Sequence, residues 1–278
     1  MLDALKSIYQ EGFIEHVQTF EENYYYFYVP SSQDVFGVTK NITANEYELL
    51  KLNYVEKTIY TQNTNIQQLM TYLFEEGSYP FSKKKMKFLI YSKTTENQDV
   101  IDDLLSKVYR EFISIEMYGC CIAFYQAEDS AQLVELFQTL SADLGVNLYV
   151  HEGFYIHPKV KGATILAYID QVIKHTNLMR MNYSDLSEAI LTFFANQEGA
   201  LLHQLKAIIY TPYFGVSPMR DILEVMIKHD LNVSSTAKYL YMNRNSLMNK
   251  IDNIEKETGL NLQKFKHACA IYVLSKVT

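Results

Sequence analysis

The chain has 278 residues, 48% of them hydrophobic, and a net charge of −7. That length and apolar content suit two or three domains with a sizeable core, while three scattered cysteines exclude a disulfide framework or a cysteine-based zinc site. No apolar run approaches the ~20 residues of a membrane span, and MLDALKSIYQEGF lacks the basic-then-apolar order of a signal peptide, so a cytoplasmic protein with no membrane partner is expected.

Charge is unevenly distributed. Residues 219–278 hold nine Lys/Arg against six Asp/Glu, a balance of +3, and the preceding 218 residues carry −10. Only the C-terminal end is suited to approach a phosphate backbone.

Residues 1–80 read as an N-terminal α/β unit. A leading helix is followed by strands at Tyr24–Val29 and Val35–Thr39 around the turn Ser31-Ser32-Gln33-Asp34. Thr43 and Glu46 have the spacing of a capping box and open a helix reaching about Glu56; another spans about Asn65 to Glu76. The Tyr24-Tyr25-Tyr26 cluster suggests a ligand pocket, but aromatics in a strand more commonly serve as packing. Lys83, Lys84, Lys85 and Lys87 read as a solvated linker entering a strand.

Residues 81–175 have a regular order. Lys87–Tyr91 is a strand, and Val100, Leu104, Leu105, Val108 and Phe112 stripe a helix begun near Asp99. Strands at Ile113–Met117 and Cys120–Tyr125 flank Tyr118-Gly119; a helix from Asp129 and a strand at Val146–Val150 complete β-α-β-β-α-β, a ferredoxin-like or cyclase-palm arrangement. His151, Glu152 and His157 lack zincin spacing and read as loop or strand-end residues. An amphipathic helix over 159–175 closes this unit. Residues 176–217 form an all-helical connector, with helices at about Tyr183–Asn196 and Gly199–Tyr210 whose apolar faces suggest a dimer surface. The fold class expected is α+β.

Residues 218–278 carry the most specific signal. A support helix over 219–230 precedes a short helix opened by Ser234 or Ser235 and reaching Leu240, with a turn at Tyr241-Met242. Asn243 then caps a longer helix with Leu247, Ile251 and Ile254 on its back, ending at Gly259. This is a helix-turn-helix pattern. At ~100° per residue, Asn245 and Asn249 lie opposite the aliphatic stripe, flanked by Arg244, Ser246 and Lys250. Asparagine can pair bidentately with adenine, and Arg, Lys and Ser reach phosphates or guanine. With Ser235 and Asn243, these make the candidate DNA-binding set. The tail from Leu262 to Val277 is expected to pack Phe265, Cys269, Tyr272 and Val273 over the three-helix core.

The run A-x-x-L-x-M-N-R-N-S-L-x-x-K-I-x-x-I-x-x-x-T-G-L-N-L resembles the C-terminal DNA-binding domain of PucR/CdaR-type bacterial transcriptional regulators. The family pattern H-R-N-T-L-x-x-R-I is matched directly by Arg244, Asn245 and Leu247. Asn243 stands for the His, Ser246 for the Thr, and Lys250 keeps the charge of the Arg without its planar fork. The middle unit more faintly resembles the degenerate GGDEF-like domain found before this module. Active diguanylate cyclases carry a carboxylate in the central hairpin that helps hold metals, whereas Met117-Tyr118-Gly119-Cys120-Cys121 offers one glycine and none.

No P-loop, G-x-G-x-x-G or G-x-S-x-G occurs. The expectation is therefore a non-enzymatic transcriptional regulator that binds double-stranded DNA, with the helix at about 243–258 in the major groove. No cofactor or metal is implied; a homodimer is expected, and a small-molecule effector is a candidate partner. The rival is a nucleotide-handling enzyme or sensor whose helical tail docks protein.

Overall fold

The computed structural model describes residues 2–15, 17, 21, 23–29, 34–57, 64–81, 85–92, 98–126, 133–175 and 183–278. The turn expected around Ser31–Gln33, Lys83, Lys84 and the helix start at Asp129 lie outside the described residues. The fold is α+β, with two sheets among the described residues and a helical C-terminal region.

The N-terminal unit runs α1 (Leu2–Tyr9), a 3-10 turn, β1 (Phe13–Ile14), β2 (Tyr24–Tyr28), β3 (Val35–Thr39), α2 (Ala44–Asn53), β4 (Val55–Glu56) and α3 (Thr64–Phe74). Its strands are antiparallel in the order β1-β3-β2-β4. The tyrosine-rich strand is packing material: Tyr26, Phe27 and Tyr28 are buried, and the Tyr28 ring stacks on Phe74. The capping box forms as expected, Glu46 N–H donating to Thr43 Oγ1 and Thr43 N–H to the Glu46 carboxylate. α2 nevertheless stops at Asn53, because Val55 and Glu56 pair with Tyr28 and Phe27.

The middle unit runs β5 (Met86–Ser92), α4 (Gln98–Val108), β6 (Arg110–Met117), β7 (Cys120–Gln126), α5 (Leu133–Leu144) and β8 (Val150–Glu152). The antiparallel order β6-β7-β5-β8 is that of a split β-α-β ferredoxin-like sheet. Tyr118 and Gly119, at φ +52 and +70, make the tight β6–β7 turn. Phe112 belongs to β6 rather than to the α4 stripe. Lys87 lies in β5, as the strand expected from it requires, but it is not solvated, being only 3% exposed.

After α6 (Gly162–Lys174), Tyr183–Asp185 forms β9, a fifth strand parallel to β8, where sequence alone predicts the first turn of a helix. The helices α7 (Leu186–Ala195) and α8 (Gly199–Leu205) follow; α8 continues through a π-helical turn at Lys206–Tyr210 into α9 (Thr211–Phe214). The C-terminal region is α10 (Met219–Lys228), α11 (Val233–Tyr239), α12 (Arg244–Thr258) and α13 (Phe265–Lys276).

One hydrophobic core joins Phe88 and Phe124 of the sheet, Tyr168 of α6, Phe193 of α7, and Ile222, Leu247 and Ile271 of the C-terminal helices. A second lies on the other sheet face, under α4 and α5. The boundaries expected at 175/176 and 217/218 thus cross a continuous core. The connector helices spend most of their apolar faces inside the chain, where Leu186, Ile190, Phe193, Leu202 and Leu205 are buried, and leave Phe194 exposed. α13 is also turned relative to expectation. It packs along α7 and buries Ala268, Ala270, Ile271 and Leu274, with Val273 against the core as expected, but leaves Phe265 79% exposed and Tyr272 on the outside.

Candidate nucleic-acid interface

Local rules assemble the helix pair. α10 buries Ile222, Leu223, Val225 and Met226. α11 is capped by Asn232, whose side-chain oxygen accepts the Ser235 N–H at 2.9 Å, so neither Ser234 nor Ser235 is the cap. α11 ends in a Schellman arrangement: Met242 N–H donates to Ala237 O at 2.8 Å and Tyr241 N–H to Lys238 O at 3.3 Å. The position this motif usually gives to glycine is held by Tyr241, at φ +53 and 98% exposed. Asn243 caps α12 by accepting the Asn245 N–H at 2.8 Å, and Gly259 closes it in the left-handed conformation.

The two faces of α12 divide as the spacing requires. Leu247, Ile251, Ile254 and Thr258 are buried. Arg244, Asn245, Ser246 and Asn249 are exposed, as are Asn243 and Ser235, while Lys250 is half-buried. The first two turns of α12 therefore present two amides, a hydroxyl and two cations to solvent, with Lys238 and Tyr241 of the preceding turn also exposed. Tyr241 falls in the turn expected at Tyr241-Met242, but its left-handed backbone and full exposure are not visible in the sequence.

The acidic far end of α12 is anchored inward. Glu257 pairs with Lys85 beside β5, and Glu255 accepts the Asn261 amide at 2.7 Å. Asn261 N–H donates to His267 Nδ1 at 2.9 Å, so Nε2 is the protonated ring nitrogen that faces Asp185, 3.4 Å away. Asp185 also caps α7 through the Ser187 and Glu188 N–H groups and lies 3.4 Å from Lys266. Burial alone would raise the Asp185 carboxyl; hydrogen bonds from His267 and Ser187, with the Lys266 charge, overcome it and hold the group well below the usual carboxylate range.

Each residue of β9 makes such a tie. Tyr183 donates to Glu152 at 2.9 Å, and Glu152 takes the buried Lys87 ammonium at 2.5 Å and the Tyr125 hydroxyl at 3.3 Å. Ser184 meets His151 Nδ1 at 2.8 Å, with Tyr168 on Nε2 at 2.8 Å. Fully buried, His151 is pushed down to about 3 and is neutral at ordinary pH. His151 and Glu152 are strand residues, as their position allowed, but their burial in this network is invisible in sequence. At the β6–β7 turn, Tyr118 and Gly119 offer no carboxylate, and the neighbouring Glu116 lies 3.6 Å from Lys51 of α2.

Residues 219–277 match the family model described as the PucR C-terminal helix-turn-helix domain. The chain is 33% identical over 58 residues to the Bacillus subtilis (strain 168) protein YxkF, described as uncharacterized; the match covers 21% of this chain and 20% of that protein, so the chain spans about a fifth of the length of this curated relative. Among solved structures, the regulator of polyketide synthase expression from Bifidobacterium adolescentis aligns with 79% of this chain and 94% of its own, at 9% identity and a TM-score of 0.42. Among the described residues no helix is long and apolar enough to cross a membrane.

Proposed function

Proceeding from a PucR C-terminal helix-turn-helix domain over residues 219–277, we propose that the chain is a sequence-specific, DNA-binding transcriptional regulator that places the first two turns of α12 in the major groove. The supporting observation is the polar front of α12, exposed and opposite a buried aliphatic back. Asn245 and Asn249 carry the amide geometry that pairs with adenine, and Arg244 and Lys250 supply phosphate or guanine contacts. Ser235, Ser246, Asn243 and the Tyr241 hydroxyl complete a rim suited to the backbone. Asn243 has one amide end committed to capping, so its Nδ2 is the group left for DNA. The acidic end of α12 is turned to Lys85 and Asn261, away from this front.

One module reads few base pairs, so the working form is a homodimer on an inverted repeat. The middle unit acts as scaffold rather than catalyst, its central hairpin lacking a metal-binding carboxylate. Selection of bound sequences from a random duplex pool, followed by titration at two salt concentrations, tests the reading. A selected motif whose affinity falls steeply with salt is expected. Binding that ignores both sequence and salt would sink it, as metal-dependent turnover of GTP to a cyclic dinucleotide would sink the scaffold role.

A further inference from the structure

Where the N-terminal unit meets the edge strand of the middle sheet, a cavity of about 240 Å³ opens between α2, β4, α3 and β6. It falls below the roughly 300–1,000 Å³ of pockets that take drug-sized ligands, which sets its occupant below a nucleotide in size. Its lining is divided by chemistry. Val55, Ile66, Met70 and Ile115 form an apolar wall, and Lys51, Glu56 and Glu116 bring charge of both signs to the remainder.

Among the described residues the Lys51 ammonium has only long ion-pair contacts, 3.8 Å to Glu48 and 3.6 Å to Glu116, and lies 5.3 Å from the Tyr47 ring centre. A charge-assisted bond at full strength is nearer 2.7–2.9 Å, so an incoming carboxylate has donor capacity to take. Glu56 is oriented by the Tyr47 hydroxyl at 2.7 Å, a fixed carboxylate for an incoming ammonium. A simple anion would face two carboxylates, and a simple cation would face Lys51. A zwitterion satisfies both and lays its apolar body on the wall.

We propose that this cavity binds a small zwitterion with an aliphatic body, of the α-amino acid class. The inference deepens the regulatory reading and rests on it only in calling the ligand an effector. Because binding is measured without DNA, the site can fail while the DNA-binding reading stands, and the reverse.

The test is calorimetric titration of the full chain with L-leucine, L-leucinamide, 4-methylpentanoate and glycine. Leucine is expected to bind, with each of the others at least about tenfold weaker, the loss of one charge-assisted contact or of the apolar body. Lys51→Ala should weaken leucine to the level of leucinamide and leave leucinamide itself unchanged, an outcome that general unfolding would not produce. Met70→Trp, which fills the cavity from its apolar side, should abolish binding while preserving the thermal melt. No heat with leucine, equal affinity for the first three compounds, or leucine binding untouched by Met70→Trp would each overturn the proposal.

Discussion

At the scale of single residues, Tyr241 combines two separable properties. Its φ of +53 places a side chain in the left-handed region, which costs a non-glycine residue about 1–2 kcal/mol, and its ring packs on nothing that would repay that cost. Tyr241→Gly is expected to raise stability by about 0.5–1 kcal/mol after the greater unfolded-state freedom of glycine is allowed for, measurable by denaturant melts. If the hydroxyl meets a phosphate, the same variant binds DNA more weakly although it is more stable, a combination that a folding defect cannot produce. Asn249 and Arg244 are separable in another way. Asn249→Ala should cost about 1–3 kcal/mol on the selected site and little on random duplex, whereas Arg244→Ala should weaken all duplexes and reduce the salt slope by about one. Equal losses for Asn249→Ala on both DNAs would remove its base-reading role.

At the scale of elements, β9 ties the middle sheet to the C-terminal helices. Asp185 caps α7 and faces Lys266 and His267 of α13. Its carboxyl is held below the ordinary value of 3.8, so its stabilisation is present above that value and is lost as pH falls through the lower folded-state value. Asp185→Asn keeps a capping oxygen and discards the charge. Its melting temperature should be lower than that of the parent near neutral pH, and the difference should shrink below about pH 4. A gap that persists unchanged into acid would show that the carboxylate charge contributes nothing. The Lys87–Glu152 pair lies deeper, both side chains being buried. Lys87→Met strands Glu152 in the core and should cost about 3–5 kcal/mol, read by the same melts.

At the scale of the whole molecule, the C-terminal helical module is not a detachable bead. α13 packs along α7, and its Ala270, Ile271 and Leu274 share one core with Ile190 and Phe193, so a fragment of residues 219–278 would expose apolar surface that the intact chain covers. That fragment is expected to lose cooperative melting, while one beginning at Tyr183, which restores β9 and α7, regains it; calorimetry distinguishes the two. The proposed homodimer has little of the connector's apolar surface to use, since most of it is buried within the chain. Light scattering on the full chain together with footprinting checks this: a two-fold symmetric protected site and twice the chain mass are expected.

The helix-turn-helix was legible in the residues themselves because its determinants are local. Caps at Asn243 and Gly259, the Leu247/Ile251/Ile254 stripe and the polar front opposite it depend on helical period and on hydrogen bonds spanning a few residues. The β-α-β-β-α-β order was legible for the same reason, and the observed strand order β6-β7-β5-β8 agrees with it. What sequence could not decide was which apolar faces meet. β9 reads as a helical start because its pairing with β8 is non-local, and α13 offers two apolar faces of which Phe265 and Tyr272 make the more conspicuous. Lys87, in a lysine-rich run, reads as solvated until Glu152, sixty-five residues away, is brought beside it. Burial of a charge or choice of a helix face is set by partners distant in the chain, and only the tertiary structure brings those partners together.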